Sequence, residues 1–225
     1  MQAEFPAEGS HLARYAARFP VVEINSSFHR PHRPSTYARW AAETPPHFRF
    51  SAKLPRTITH TRRLIDADAP LDAFLAESAG LGEKLAVLLV QLPPSLVFDA
   101  AVAARFFAGL ATRTAASVVC EPRHATWFGE QAEALLAEAG VARVSAYPAV
   151  VPEAAVPGGD RRIGYHRLHG SPRMYYSAYP PEYITRLADR LRRDAEEGRK
   201  VWCIFDNTAA GAAARNALDL LAALA

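Results

Sequence analysis

The residues of this 225-residue chain best able to move protons or hold charge stand at the ends of short apolar runs. Side chains alternate faces along an extended strand, so every second residue of such a run shares a face. Read this way, one face of each run carries Val21, Glu23, Asn25; Arg49, Ser51, Lys53; Leu85, Val87, Leu89, Gln91; Ser117, Val119, Glu121, Arg123; Ser145, Tyr147; Ile163, Tyr165, Arg167, His169; and Cys203, Phe205, Asn207. Polarity rises toward the C-terminal end of nearly every set. The pattern predicts a polar ring of Asn25, Lys53, Gln91, Arg123, Tyr147, His169 and Asn207, with Glu23, Ser51, Glu121 and Arg167 one layer deeper. In such a ring Lys53, Arg123 and Arg167 bind negative charge, Asn25, Gln91 and Asn207 orient a ligand, and Glu121, Glu23 or His169 transfers a proton. His124 and Trp127, just past the fourth run, join the expected substrate-binding set. The competing reading is that the carboxylates and cations form a satisfied ion-pair network that only lines the fold.

Other chemistries have less support. Glu23, Glu121, His169 and Asp206 are the only carboxylates or imidazoles near run ends, H-x-H and H-E-x-x-H are absent, and the basic neighbours disfavour a cation, so no metal or cofactor is expected. There is no G-x-S-x-G elbow, and Cys203 lies in an apolar run without a designated base.

The elements that must position these residues alternate. Seven candidate strands (21–26, 48–54, 85–92, 117–123, 141–147, 163–169 and 201–207) are interleaved with Ala- and Leu-rich helical stretches at 11–19, 34–43, 71–81, 101–112, 131–139, 181–197 and 210–224. Residues 149–162, rich in Pro and Gly, read as a surface connection. Such alternation without a compositional break predicts a single α/β domain over 1–225, a TIM-barrel-like (β/α) barrel, incomplete with seven parallel strands. A doubly wound open sheet is the alternative, but no strand leads into a nucleotide-binding glycine motif. Half the residues are hydrophobic, ample for a core, and 26 Lys and Arg against 23 Asp and Glu leave only +3. The longest apolar stretch, Leu85 to Leu92, is too short to span a membrane, and Met1 to Ser10 lacks the features of a secretory leader. A cytoplasmic location with reduced Cys120 and Cys203 is the expectation; the oligomeric state is left open.

The runs V-E-I-N-S-S-F-H at Val22 to His29, W-A-A-E-T-P-P-H-F-R-F-S-A-K-L-P-R-T-I-T-H at Trp40 to His60, V-Q-L-P-P-S at Val90 to Ser95, E-P-R-H-A-T-W-F at Glu121 to Phe128 and R-L-H-G at Arg167 to Gly170 together resemble the domain-of-unknown-function 72 (YecE-like) family. Phe205-Asp206-Asn207 with Gly211 and Asn216 is similar to that family's ending. The resemblance runs from about Phe5 to the C-terminus. It implies a TIM-barrel-like fold of unestablished activity. Members usually open with a G-T-S-G-W-like first strand; nothing of the kind precedes Phe5, so the first strand of the barrel is expected to be missing.

Three functional classes follow. The favoured one is a barrel that binds or transforms a small anionic ligand, phosphorylated or carboxylated, by acid/base chemistry. The second is a nucleic-acid-binding or nuclease-like barrel. In it Arg30, Arg33, Arg62 and Arg63 track phosphates, and Phe28, Trp127, Tyr175 or Tyr176 stack on bases. The third is a binding barrel without catalysis.

Overall fold

The computed structural model describes residues 4–225, which fall into two compact units, the first ending at Cys120 and the second Glu121–Ala225. Both alternate strands and helices, as the periodicity requires, and the strands pair mostly in parallel.

In the first unit the strands β1 (Val21–Ile24), β2 (Arg49–Lys53), β3 (Leu85–Gln91) and β4 (Ser117–Glu121, whose last residue opens the second unit) follow one another in sheet order. Its helices are α1 (His11–Ala16), α2 (Ser26–His29), α3 (Pro34–Ala42), α4 (Asp68–Ser78) and α5 (Ala100–Ala111). Side-chain caps set two of the starts: Ser10 Oγ accepts from Ala13 N, and Asp99 Oδ1 from Val102 N. The register sets Glu23 beside Ser51 and Lys53 beside Leu89, so the expected polar face of β1 and β2 is one face. Val22, pairing with Phe50, lies on the opposite face. There Ile24, Phe48, Phe50, Tyr37 and Leu81 form an apolar core with Ala16 of α1. Gly80 lets α3 pack close: a Cβ there would lie 2.4 Å from Pro34 O and 2.8 Å from Ala38 N.

The second unit holds β5 (Val141–Arg143), β6 (Ser145–Tyr147), β7 (Gly158–Gly159), β8 (Ile163–Leu168) and β9 (Lys200–Phe205), with α6 (Glu130–Glu138), α7 (Pro181–Glu196) and α8 (Ala212–Leu224). Strands β6, β8 and β9 pair in parallel, whereas β7 runs antiparallel to β5. Among the described residues nine strands thus replace the seven expected, and they are not all parallel. The fifth predicted strand divides at Val144, because Ala142 and Arg143 pair with Gly159 and Gly158 while Ser145 to Tyr147 pair with β8. The supposed loose connection is anchored. Arg143 Nη1 donates to Glu153 O at 2.8 Å, Arg143 Nε to Glu133 at 2.9 Å, and Glu133 accepts from Gly159 N at 2.6 Å. Among the described residues no strand precedes β1.

Register corrects the face assignment of two strands. Arg167 of β8 stands beside Ala146 and Ile204, and Leu168 beside Tyr147 and Phe205. Ser145, Tyr147, Cys203 and Phe205 therefore share the helix-facing side with His166 and Leu168, opposite to the expectation. Leu168 and Phe205 pack in a core with Ile184, Leu187 and Leu191 of α7 and Leu220 of α8, with Tyr147 and Cys203 against it. Burial pushes the Cys203 thiol well above its ordinary range, which makes it a poor nucleophile.

A candidate anion site at the ends of strands β4, β8 and β9

Glu121 closes β4 with no exposed surface, and both carboxylate oxygens are taken. Oε1 accepts from Arg123 Nη2 at 2.5 Å, and Oε2 from Arg167 Nη1 at 2.5 Å. Arg167 Nη2 reaches on to Asp206 Oδ2 at 3.1 Å, the residue following β9. His169, just past β8, lies between the two carboxylates: Nδ1 is 3.1 Å from Asp206 Oδ2 and Nε2 3.0 Å from Glu121 Oε1, with Arg123 Nη2 2.8 Å from the same Nε2. Which ring nitrogen carries the proton decides whether Nε2 accepts from Arg123 or donates to Glu121. Burial pushes the Glu121 carboxyl upward. The Arg167 guanidinium, the hydrogen bond to His169 and the Arg123 guanidinium outweigh this and hold it well below the usual carboxylate range.

Toward solvent the network is incomplete. The Arg123 side chain is 10% exposed, and its buried Nε has no hydrogen-bond partner. Asp206 is 18% exposed, the most open member of the cluster. Sequence parity assigned Asp206 outward and Asn207 inward; the β8–β9 register reverses this, because Ile204 shares the face of Arg167 and alternation carries Asp206 to it. Asn207 has a different task. Its Nδ2 donates to Ser177 O at 2.9 Å and Asn216 Oδ1 at 3.0 Å, tying the loop after β8 to α8, while its Oδ1 is buried without a partner.

Two other expected ligand contacts turn inward or sideways. His124 caps the short 3-10 turn Ala125–Phe128, its Nδ1 accepting from Thr126 N at 3.3 Å and lying 2.9 Å from Thr126 Oγ1. Trp127 is 1% exposed, a core side chain with no face to offer a base.

The first unit gathers the remaining expected residues at the ends of β1 and β2. Asn25 Nδ2 donates to Glu23 Oε1 at 2.9 Å, and Lys53 Nζ lies 4.1 Å over the Phe28 ring. Gln91 ends β3, half-buried. His60, unassigned by the sequence beyond its place in a basic loop, meets the same Phe28 ring edge-on at 4.9 Å. Burial, then Lys53 and Arg56, lower its pKa. It sits on a π-helical turn, Thr57–Thr61, followed by left-handed backbone at Arg63, Leu64 and Asp66.

Among the described residues no three His, Cys, Asp or Glu side chains are arranged to hold a metal ion, and no helix is long and apolar enough to cross a membrane.

A family model described as protein of unknown function DUF72 matches residues 3–225. UPF0759 protein YecE of Escherichia coli K12 is 33% identical over 82 residues, a match spanning 36% of this chain and only 30% of that protein. UPF0759 protein YunF of Bacillus subtilis 168 is 25% identical over a 247-residue alignment covering 96% of this chain and 86% of that protein. Two crystal structures of DUF72 family proteins share the fold. The one from Enterococcus faecalis V583 has a TM-score of 0.81 at 23% identity, covering 95% of this chain and 93% of that one. The one from Thermotoga maritima MSB8 has a TM-score of 0.81 at 21% identity, covering 100% and 94%.

Proposed function

The chain belongs to the DUF72 family, whose description names no activity, and we propose that it binds a small anionic ligand, phosphorylated or carboxylated, at the ends of β4, β8 and β9. The observation carrying this reading is the Arg123 guanidinium, nine-tenths buried and with an Nε–H that nothing in the protein accepts. An unmet buried donor is costly, and an anionic oxygen would satisfy it. Ligands of parallel α/β folds also gather at the C-terminal ends of strands. Closure of the strands into a barrel, expected from the sequence, is part of this proposal, as is the single domain.

Within the site, Glu121 positions. A carboxylate held so far below its usual range takes up no proton near neutral pH, so its work is to aim Arg123 and Arg167. Proton transfer, where the ligand requires it, falls to the His169–Asp206 pair, whose carboxylate reaches solvent. Lys53, Asn25, Gln91 and Glu23 remain candidate ligand groups of the first unit.

Calorimetric titration with inorganic phosphate, methyl phosphate and acetate tests the reading. Arg123→Lys keeps a cation beside Glu121 but has no Nε–H in that geometry, and should weaken anion binding by about tenfold or more. Absence of binding by the wild type, or equal binding by the variant, overturns it.

A further inference from the structure

The loop leaving β8 presents three consecutive large side chains to solvent: Met174 is 38% exposed, Tyr175 42% and Tyr176 44%. They are not equivalent. Tyr176 is covered by the Arg173 guanidinium, 3.9 Å from its ring centroid. Tyr175 is instead fixed beside the ionic cluster, its ring 5.9 Å from that of His169 at an interplanar angle of 82°.

The backbone is bent to put it there. Tyr175 has φ +67°, in the left-handed region where a bulky side chain is a true outlier. Hydrogen bonds on both sides hold that conformation: Tyr175 N donates to His169 O, and Tyr175 O accepts from Ala209 N at 3.0 Å. Glycine would take this turn freely, so a ring in it marks a position where a ring is useful. His169 is thus flanked by the Tyr175 ring and, at Nε2, by Arg123, whose Nε is unmet. One imidazole separates a buried guanidinium with an unmet Nε–H from an exposed aromatic side chain.

We infer that the anionic ligand carries an aromatic ring next to its charged group, and that this ring stacks on Tyr175 while the charge meets Arg123. This rests on the anion reading above and narrows its ligand class to aryl or heteroaryl phosphates and carboxylates. Stacking on an aromatic side chain tolerates many rings, and the offset or edge-to-face geometries that rings prefer are available to a partner approaching the open face.

The test compares two probes that differ only in the ring, methyl phosphate and phenyl phosphate, by calorimetric titration of the wild-type protein, Tyr175→Phe and Tyr175→Gly. Glycine accepts the left-handed backbone, so the second variant removes the ring without straining the loop. The expected result is phenyl phosphate binding about tenfold tighter than methyl phosphate to the wild type and Tyr175→Phe, with the preference gone in Tyr175→Gly and methyl phosphate binding unchanged throughout. Equal binding of both probes to the wild type overturns the inference and leaves the anion site standing. A phenyl preference that survives in Tyr175→Gly overturns the assignment to this ring. Failure of the wild type to bind either probe overturns the anion reading itself, and the inference with it.

Discussion

Replacing Glu121 by Gln removes one negative charge from the buried ionic cluster it forms with Arg123, Arg167 and His169 while nearly conserving shape. The carboxylate faces Arg167 and Arg123, whose side chains are 1% and 10% exposed, so solvent screens little of the loss. An amide keeps one acceptor but turns an NH₂ toward a guanidinium, setting donor against donor. Removing one partner of a buried ion pair costs about 3–5 kcal/mol, which at about 2–4 °C per kcal/mol for a chain of this size lowers Tm by roughly 6–20 °C. The pH dependence separates this from a mere packing defect. The folded-state carboxyl lies below its ordinary value of 4.5, so its stabilisation is fully present above that value and is lost as pH falls through the folded pKa. The gap between wild type and Glu121→Gln is therefore expected to stay constant from neutral pH to about pH 5 and to narrow below about pH 4. Urea unfolding across that range measures it. A gap below about 1 kcal/mol at neutral pH, the worth of a solvent-exposed pair, or a gap unchanged in acid, refutes the charge argument.

Two further perturbations test the packing beneath the strands. Gly80→Ala drives a methyl into Pro34 O and Ala38 N, which are backbone atoms with little freedom to retreat, and should cost about 1–3 kcal/mol by chemical denaturation; a neutral result means that α3 is free to shift. Arg143→Ala frees the carbonyls of Glu153 and Val156 and leaves Glu133 without its cation, a loss of about 1.5–3 kcal/mol, and limited proteolysis should then cut within residues 149–162. Protection of that segment in the variant would show that β7 holds it without the arginine.

Apart from β7 and the break between β5 and β6, periodicity located the strands and long helices to within a few residues because the apolar runs are short, separated and bounded by Pro, Gly or charge. Faces were legible where a strand alternates. Arg49-Phe50-Ser51-Ala52-Lys53 carries its parity in its composition, and the register of β1 with β2 agrees with it. Val201-Trp202-Cys203-Ile204-Phe205 does not, because every member is apolar and either face can be buried. One residue of phase then moves Asp206 into the site and Asn207 out to the loop it ties down. The division of the fifth strand was hidden for another reason: its partner, Gly158–Gly159, has no side chains to reveal a strand.

The same phase decides what the site is able to do. With Asn207 in place of Asp206, two guanidiniums would face one carboxylate, and a surplus of positive charge would attract any polyanion, nucleic acid included. With Asp206 present, Arg123 and Arg167 are matched by Glu121 and Asp206, and the formal charges of these four cancel. Attraction by net charge is then weak. In the proposed site, recognition would then come from direction: the Arg123 Nε–H held by a network that leaves it no internal acceptor, and the Asp206 carboxylate at the solvent edge with His169 behind it. Under the function proposed above, a site of that kind would select a compact anion whose oxygens fit one guanidinium edge, and would orient it against the His169–Asp206 pair.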